Sequence, residues 1–163
     1  MVNSIDMILP TFNPRYRHAK HGVFKPKHPE KYKGHGQIVF KSLLEAKMMF
    51  YLDNNPKCTA WWAEPFSIAY FDKSTNKRRQ YFIDFVAEIQ TEGVIKETYW
   101  IETKNIGETR PPSGKYMTHA MLESTKTYIK NLSKWKAASE AAKRHGAKFL
   151  VITDDFFKGG KTL

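Results

Sequence analysis

"QYFIDFVAEIQTEGVIKETYWIETK", residues 80–104, alternates apolar and polar residues on both sides of a polar break around Gly93. That is the pattern of two strands joined by a turn. Three charges stand where such strands expect apolar or half-buried residues: Asp84 between Ile83 and Phe85, Glu102 after Ile101, and Lys104 two positions on. Glycine accepts the positive φ that a hairpin turn often needs. Strands pairing symmetrically about Gly93 set Asp84 opposite Glu102, with Cβ atoms roughly 5 Å apart. Lys104 shares their face, because side chains alternate along a strand. Like charges directly opposed destabilise a sheet, so this register calls for a cation between the carboxylates.

Two carboxylate oxygens on adjacent strands are a partial shell that Mg²⁺ accepts, with water and a phosphate oxygen completing it. A cation there lowers the pKa of a bound water and polarises a scissile phosphate. Lys104 would orient the attacking water and offset charge developing on the phosphoryl oxygens. Read as a bare D…E-x-K pattern, the same residues more often form a surface salt bridge on a solvated strand face. Glu45 adds a third acid. Ser42 with Glu45 three residues on is a capping-box pattern, and Leu44, Met48, Met49 and Leu52 supply the apolar stripe of a helix. Capping alone accounts for Glu45; its position in the helix before the strands also lets it reach the same site.

The helix should end at "DNNP", 53–56, because Pro56 cannot continue it. "CTAWWAEPFSIAYF", 58–71, reads as one or two strands around Pro65, and "DKSTNK" as a turn. Glu64 lies beside these strands and reads as a surface or packing residue, with support of the site residues as the alternative. After the loop "NIGETRPPSGK", a helix is expected from Thr118 to Lys130. A second, capped by Ser133, should run to His145 with Gly146 at its end. "AKFLVIT", 147–153, then reads as a buried strand reached by a crossover. Helix, three strands, helices, strand is an α/β order: a mixed central sheet flanked by helices.

The chain has 163 residues, net charge +11 and a single cysteine, Cys58, which excludes an internal disulfide and suits a reducing, cytoplasmic setting. No apolar run reaches the length of a membrane span. Residues 1–37 carry seven Lys/Arg and two acids, residues 38–104 nine of each, and residues 105–148 nine Lys/Arg and three acids. Basic flanks around a neutral segment that holds the carboxylates suit a polyanion laid over a metal site. Residues 1–37, with His18, His21, His28 and His35 among Pro, Gly and Lys, read as a solvated basic arm anchored by Phe24 and Tyr32; residues 38–163 form the domain. Lys126, Lys130, Lys134, Lys136, Lys143 and Arg144 give the helical region a basic face, while Trp135, Ala138 and Ala142 pack it on the sheet.

A helix Glu followed by D…E-x-K on an αβββαβ layout resembles the PD-(D/E)xK, or restriction-endonuclease-like, superfamily. "GVFKPKHPEKYKGHGQIVFKSLLEAKMMFYLDNNPKCTAWWAEPFSIAY", "RRQYFIDF", "YWIETK", "ETRPP" and "NLSKWKAASEAAKRHGAKFLVIT" are similar to the head-completion nucleases of large contractile-tailed bacteriophages, over about residues 22–153. The resemblance implies a DNA endonuclease dependent on Mg²⁺, or on Mn²⁺ in its place, that helps finish the packaged phage head. It makes Glu45, Asp84 and Glu102 the metal-binding acids and Lys104 the catalytic lysine. DNA and head, portal or neck proteins become the partners, and the host cytoplasm during assembly the place. Ile83 stands where the superfamily motif has proline, a position that shapes the strand and does no chemistry. The rival readings are a non-enzymatic DNA-binding head protein and a structure-selective nuclease acting on junctions or transposon ends.

Overall fold

The computed structural model describes residues 21–91, 93, 95–158 and 163; His18 and the rest of residues 1–20 lie outside it. Ser42 starts the first helix, α1 (Leu43–Asn54), its hydroxyl accepting the Glu45 backbone N–H at 3.1 Å. The Glu45 carboxylate reaches back to the Lys41 N–H at 2.7 Å, one residue before the N-cap, where the capping box would take the Ser42 N–H. At the other end Lys31 Nζ donates to the carbonyls of Asp53 and Asn55, both at 3.0 Å, serving groups that a helix terminus leaves unpaired. Leu44, Met48, Met49 and Leu52 form its buried face, as their spacing requires.

Beyond α1 the chain forms β3 (Cys58–Ala63), β4 (Ser67–Asp72), β5 (Lys77–Phe82), β6 (Phe85–Gln90) and β7 (Lys96–Lys104). A long helix, α2 (His119–Arg144), and β8 (Lys148–Thr153) complete it, after a short N-terminal pair, β1 (Gly22–Val23) and β2 (Val39–Phe40). β3, β6, β7 and β8 form one sheet in that order, antiparallel except for the parallel pair β7–β8. Parallel neighbours need a crossover, and α2 supplies it. The α1 side of the sheet buries Met48, Met49, Leu52, Phe85, Ile89 and Ile101 in one core. On the opposite face Val86 and Trp100 meet Ala138 and Ala142 of α2 in a second. The expected α/β architecture is therefore present as α1, β3, β6, β7, α2, β8, with β4–β5 a separate two-stranded ribbon. Among the described residues no helix is long and apolar enough to cross a membrane.

Two expected elements differ. The strand anticipated from residue 80 onward is two strands in two sheets, because the backbone changes partners at Ile83 and Asp84. Ile83 N–H bonds the Phe66 carbonyl at 3.2 Å, and the Asp84 carbonyl accepts from Glu64 N at 2.8 Å. The two helices anticipated after the loop are one. Ser133 donates its hydroxyl to the Ile129 carbonyl at 2.9 Å instead of capping, and neither Gly nor Pro interrupts residues 130–133.

Residues 21–40 lie against the domain. Phe24 is buried, the Tyr32 ring sits 4.7 Å from that of Trp61, and buried Asp53 accepts the backbone N–H groups of Lys27 and His28 at 2.7 and 3.1 Å.

Candidate active site

β6 and β7 pair from Phe85↔Ile101 to Gln90↔Lys96, a register symmetric about residue 93. Gly93 takes φ 88°, a conformation in which a Cβ would be strained. One step beyond the last pair, at the bend between β5 and β6, Asp84 reaches the same end of β7, its carboxylate bonded to Thr103 and close enough to Glu102 for that charge to act on it.

Both carboxylates are held from the protein side. Asp84 Oδ2 accepts the Thr103 N–H at 2.8 Å and the Thr103 hydroxyl at 2.9 Å, while Oδ1 accepts no hydrogen bond among the described residues. Glu102 is 3 % exposed; its Oε2 accepts the Tyr81 hydroxyl at 2.6 Å and its Oε1 lies 3.4 Å from Lys104 Nζ. Burial, then the charge of Glu102, then that of Glu45 push the Asp84 carboxyl up to about 8, against the bonds from Thr103. Burial and the Glu102 carboxylate likewise raise the Tyr81 phenol, so it stays a donor. Two carboxylates crowded into a partly dry site, with an oxygen of Asp84 left over, suit a hard divalent cation.

The structure thus brings Asp84, Glu102 and Lys104 together at one end of the β6–β7 pair. Glu45 sits at the rim. Its carboxylate serves Lys41 N–H and the Ser42 hydroxyl, yet its charge is felt at Asp84. Among the described residues no three His, Cys, Asp or Glu side chains converge closely enough to enclose a metal, so water and substrate oxygens would fill most of a coordination shell.

Further side chains surround the site. Lys41 forms an ion pair with Glu64, which raises its pKa; Glu45 and Asp84 contribute more weakly. Glu64 follows β3 with φ 44°, a left-handed conformation unusual for a residue with a Cβ. Lys134 of α2 lies 5.1 Å from the centre of the Tyr81 ring, and burial lowers its pKa, partly offset by Glu102. Tyr81 and Thr103 carried no sequence signal beyond strand propensity. Glu64 and Lys134 were visible, as an acid near the strands and as one of a run of helical lysines.

A family model described as the TnsA-like endonuclease N-terminal domain matches residues 55–154. The head completion nuclease of Enterobacteria phage T4 is 34 % identical over 143 residues, 84 % of this chain and 93 % of that protein. The chain belongs to the TnsA-like endonuclease family. That family match, with the mixed α/β topology, gives it the restriction-endonuclease-like fold expected from the sequence. The span matched to the TnsA-like model holds Asp84, Glu102, Lys104, Glu64 and Lys134, whereas Glu45 precedes it. No solved structure gives a significant match.

Proposed function

We propose that this chain is a divalent-metal-dependent DNA endonuclease that hydrolyses phosphodiester bonds and serves in completing a packaged phage head. The observation that carries the reading is the gathering of the Asp84 and Glu102 carboxylates at one end of the β6–β7 pair, with Lys104 on Glu102. Asp84 and Glu102 would hold the cation, Mg²⁺ or Mn²⁺, with Glu45 as a third acid. When bound, the cation polarises the phosphate and acidifies a coordinated water. Thr103 fixes one oxygen of Asp84 and Tyr81 one oxygen of Glu102, so both carboxylates are oriented before substrate arrives. Lys104 presents a cation at the same point, where it orients the attacking water and neutralises charge on the phosphoryl oxygens. Lys130 and Lys134 bring further positive charge from α2. Head, portal or neck proteins in the host cytoplasm are the partners consistent with the phage relative.

The test is incubation of purified protein with linear, circular and branched DNA. Cutting or nicking is expected with Mg²⁺ or Mn²⁺ and none in excess chelator, while Ca²⁺ supports binding with little cleavage. Cleavage that persists unchanged in chelator removes the two-carboxylate site.

Glu45→Gln separates the two roles of that residue. Glutamine still accepts the Lys41 N–H, so a capping role by itself predicts near-normal cutting. A role in the site predicts a loss of at least about tenfold with the melting temperature kept, since charge and not shape has changed. Full activity in this variant would remove Glu45 from the catalytic set.

A further inference from the structure

The β4–β5 ribbon has an inner face whose purpose is clear and an outer face whose purpose is not. On the inner face Ile68, Tyr70 and Tyr81 pack against α2, and the Tyr81 hydroxyl holds Glu102. The turn is fixed by buried Asp72, which accepts from the Ser74 N–H and hydroxyl and the Thr75 hydroxyl and pairs with Arg79 at 3.1 Å. The register Ser67↔Phe82, Ala69↔Gln80, Phe71↔Arg78 puts those six residues on the outer face, and every one is exposed. Phe71 is 49 % and Phe82 57 % exposed. They stand four pairs apart, roughly 14 Å along the ribbon. Lys73, Lys77 and Arg78 have no ion-pair partner among the described residues, and no carboxylate shares the outer face.

Two bare phenyl rings and the unneutralised Arg78 on one face, with exposed Lys73 and Lys77 at its turn, do not suit a second copy of this chain, whose like charges would repel. They suit nucleic acid: the cations meet phosphates, and the rings stack on bases. Bases inside an intact duplex have both faces covered, so rings gain most where bases are unstacked or unpaired. The ribbon also starts at the site. Phe82 lies two residues before Asp84, and Ser67 three after Glu64. We infer that the outer face of β4–β5 binds DNA whose bases are splayed or unpaired, at forks, junctions or frayed ends, and delivers the adjoining phosphate to Asp84, Glu102 and Lys104. This rests on DNA being the substrate proposed above and names the form of DNA that the site selects.

The experiment measures binding in chelator, without cleavage, to a forked DNA with unpaired arms and to a blunt duplex of equal length. Phe71→Ala/Phe82→Ala is expected to lose roughly tenfold or more on the fork and little on the duplex. Phe71→Tyr/Phe82→Tyr, which keeps the rings, should bind the fork like the unsubstituted protein and so separates lost stacking from lost folding. Lys77→Ala/Arg78→Ala should weaken both DNAs alike and flatten the log–log salt slope by about 2. Unchanged fork binding in the alanine variants overturns the inference, as does equal loss on fork and duplex in the phenylalanine pair. A changed oligomeric mass with DNA affinity intact also overturns it, by assigning the face to protein. Because no arm depends on cutting, metal-dependent cleavage can fail while the ribbon stands, and the reverse.

Discussion

Lys104→Ala is expected to slow DNA cleavage by roughly a hundred- to a thousandfold, the usual effect of deleting one preorganised charge at a transition state. Lys104 closes β7, where it pairs with Thr153 of β8, and its side chain is 22 % exposed with Nζ 3.4 Å from Glu102. The backbone of a central strand therefore aims the cation at Glu102, where the proposed reaction would develop phosphoryl charge. Removing it leaves Glu102 bonded to the Tyr81 hydroxyl and near the Lys134 ammonium, so the fold survives. Arginine should not restore the rate, because a planar guanidinium distributes its charge and donors differently from a compact ammonium. Binding of DNA in chelator should be nearly unchanged. The checks are single-turnover cleavage at saturating DNA beside a thermal melt. Full activity in Lys104→Ala would remove Lys104 from the catalytic set and with it the proposed mechanism.

Asp84→Asn should also abolish detectable cutting while making the metal-free protein more stable. Asparagine keeps the shape and can still accept the Thr103 N–H, but it lacks the charge a divalent cation requires. The stability effect follows from where Asp84 titrates. Its carboxyl is pushed up to about 8 in the folded chain by burial and by Glu102, from an ordinary value of 3.8. The folded state therefore binds the proton more tightly than the unfolded state, and stability falls as pH rises from about 4 towards 8. Asparagine has no such proton to lose. The advantage of Asp84→Asn should be absent near pH 4, grow through neutrality and level off above about 8. One pKa unit corresponds to about 1.4 kcal/mol, so even part of this shift raises the melting temperature at pH 7.5 by several degrees. Added Mg²⁺ should stabilise the unsubstituted protein and not the variant. A variant that melts lower than the unsubstituted protein at every pH would show that the opposed carboxylates are not in conflict.

The register at Gly93, the helix opening at Ser42, the approach of Asp84 and Glu102 at one end of that strand pair and the mixed α/β order were legible because each rests on local rules. A period of two, a glycine turn and a capping hydroxyl act over a few residues and survive in any fold that contains them. What failed was also local in origin. Ser133 has the side chain of a cap, but the unbroken helix around it offers no free N–H to accept, so its hydroxyl turns back on Ile129. At Ile83 and Asp84, apolar alternation carries straight on while the backbone leaves one sheet for another. No residue marks that exchange, because it is decided by the carbonyl of Phe66 and the N–H of Glu64.

The charge pattern shows the same division. Residues 38–104 balance nine bases against nine acids, and that sum conceals a ribbon whose Asp72 is buried and neutralised while Arg78 stands on the outer face and Lys73 and Lys77 are exposed at the turn. By itself the sequence determined the candidate acids, the lysine, their order and the family. Tertiary structure alone decided that Tyr81 and Thr103 hold those acids and that Lys134 and the Lys41–Glu64 pair border them. Those contacts join residues up to tens of positions apart, and their energies depend on burial, which exists once the sheet and α2 have closed over the site.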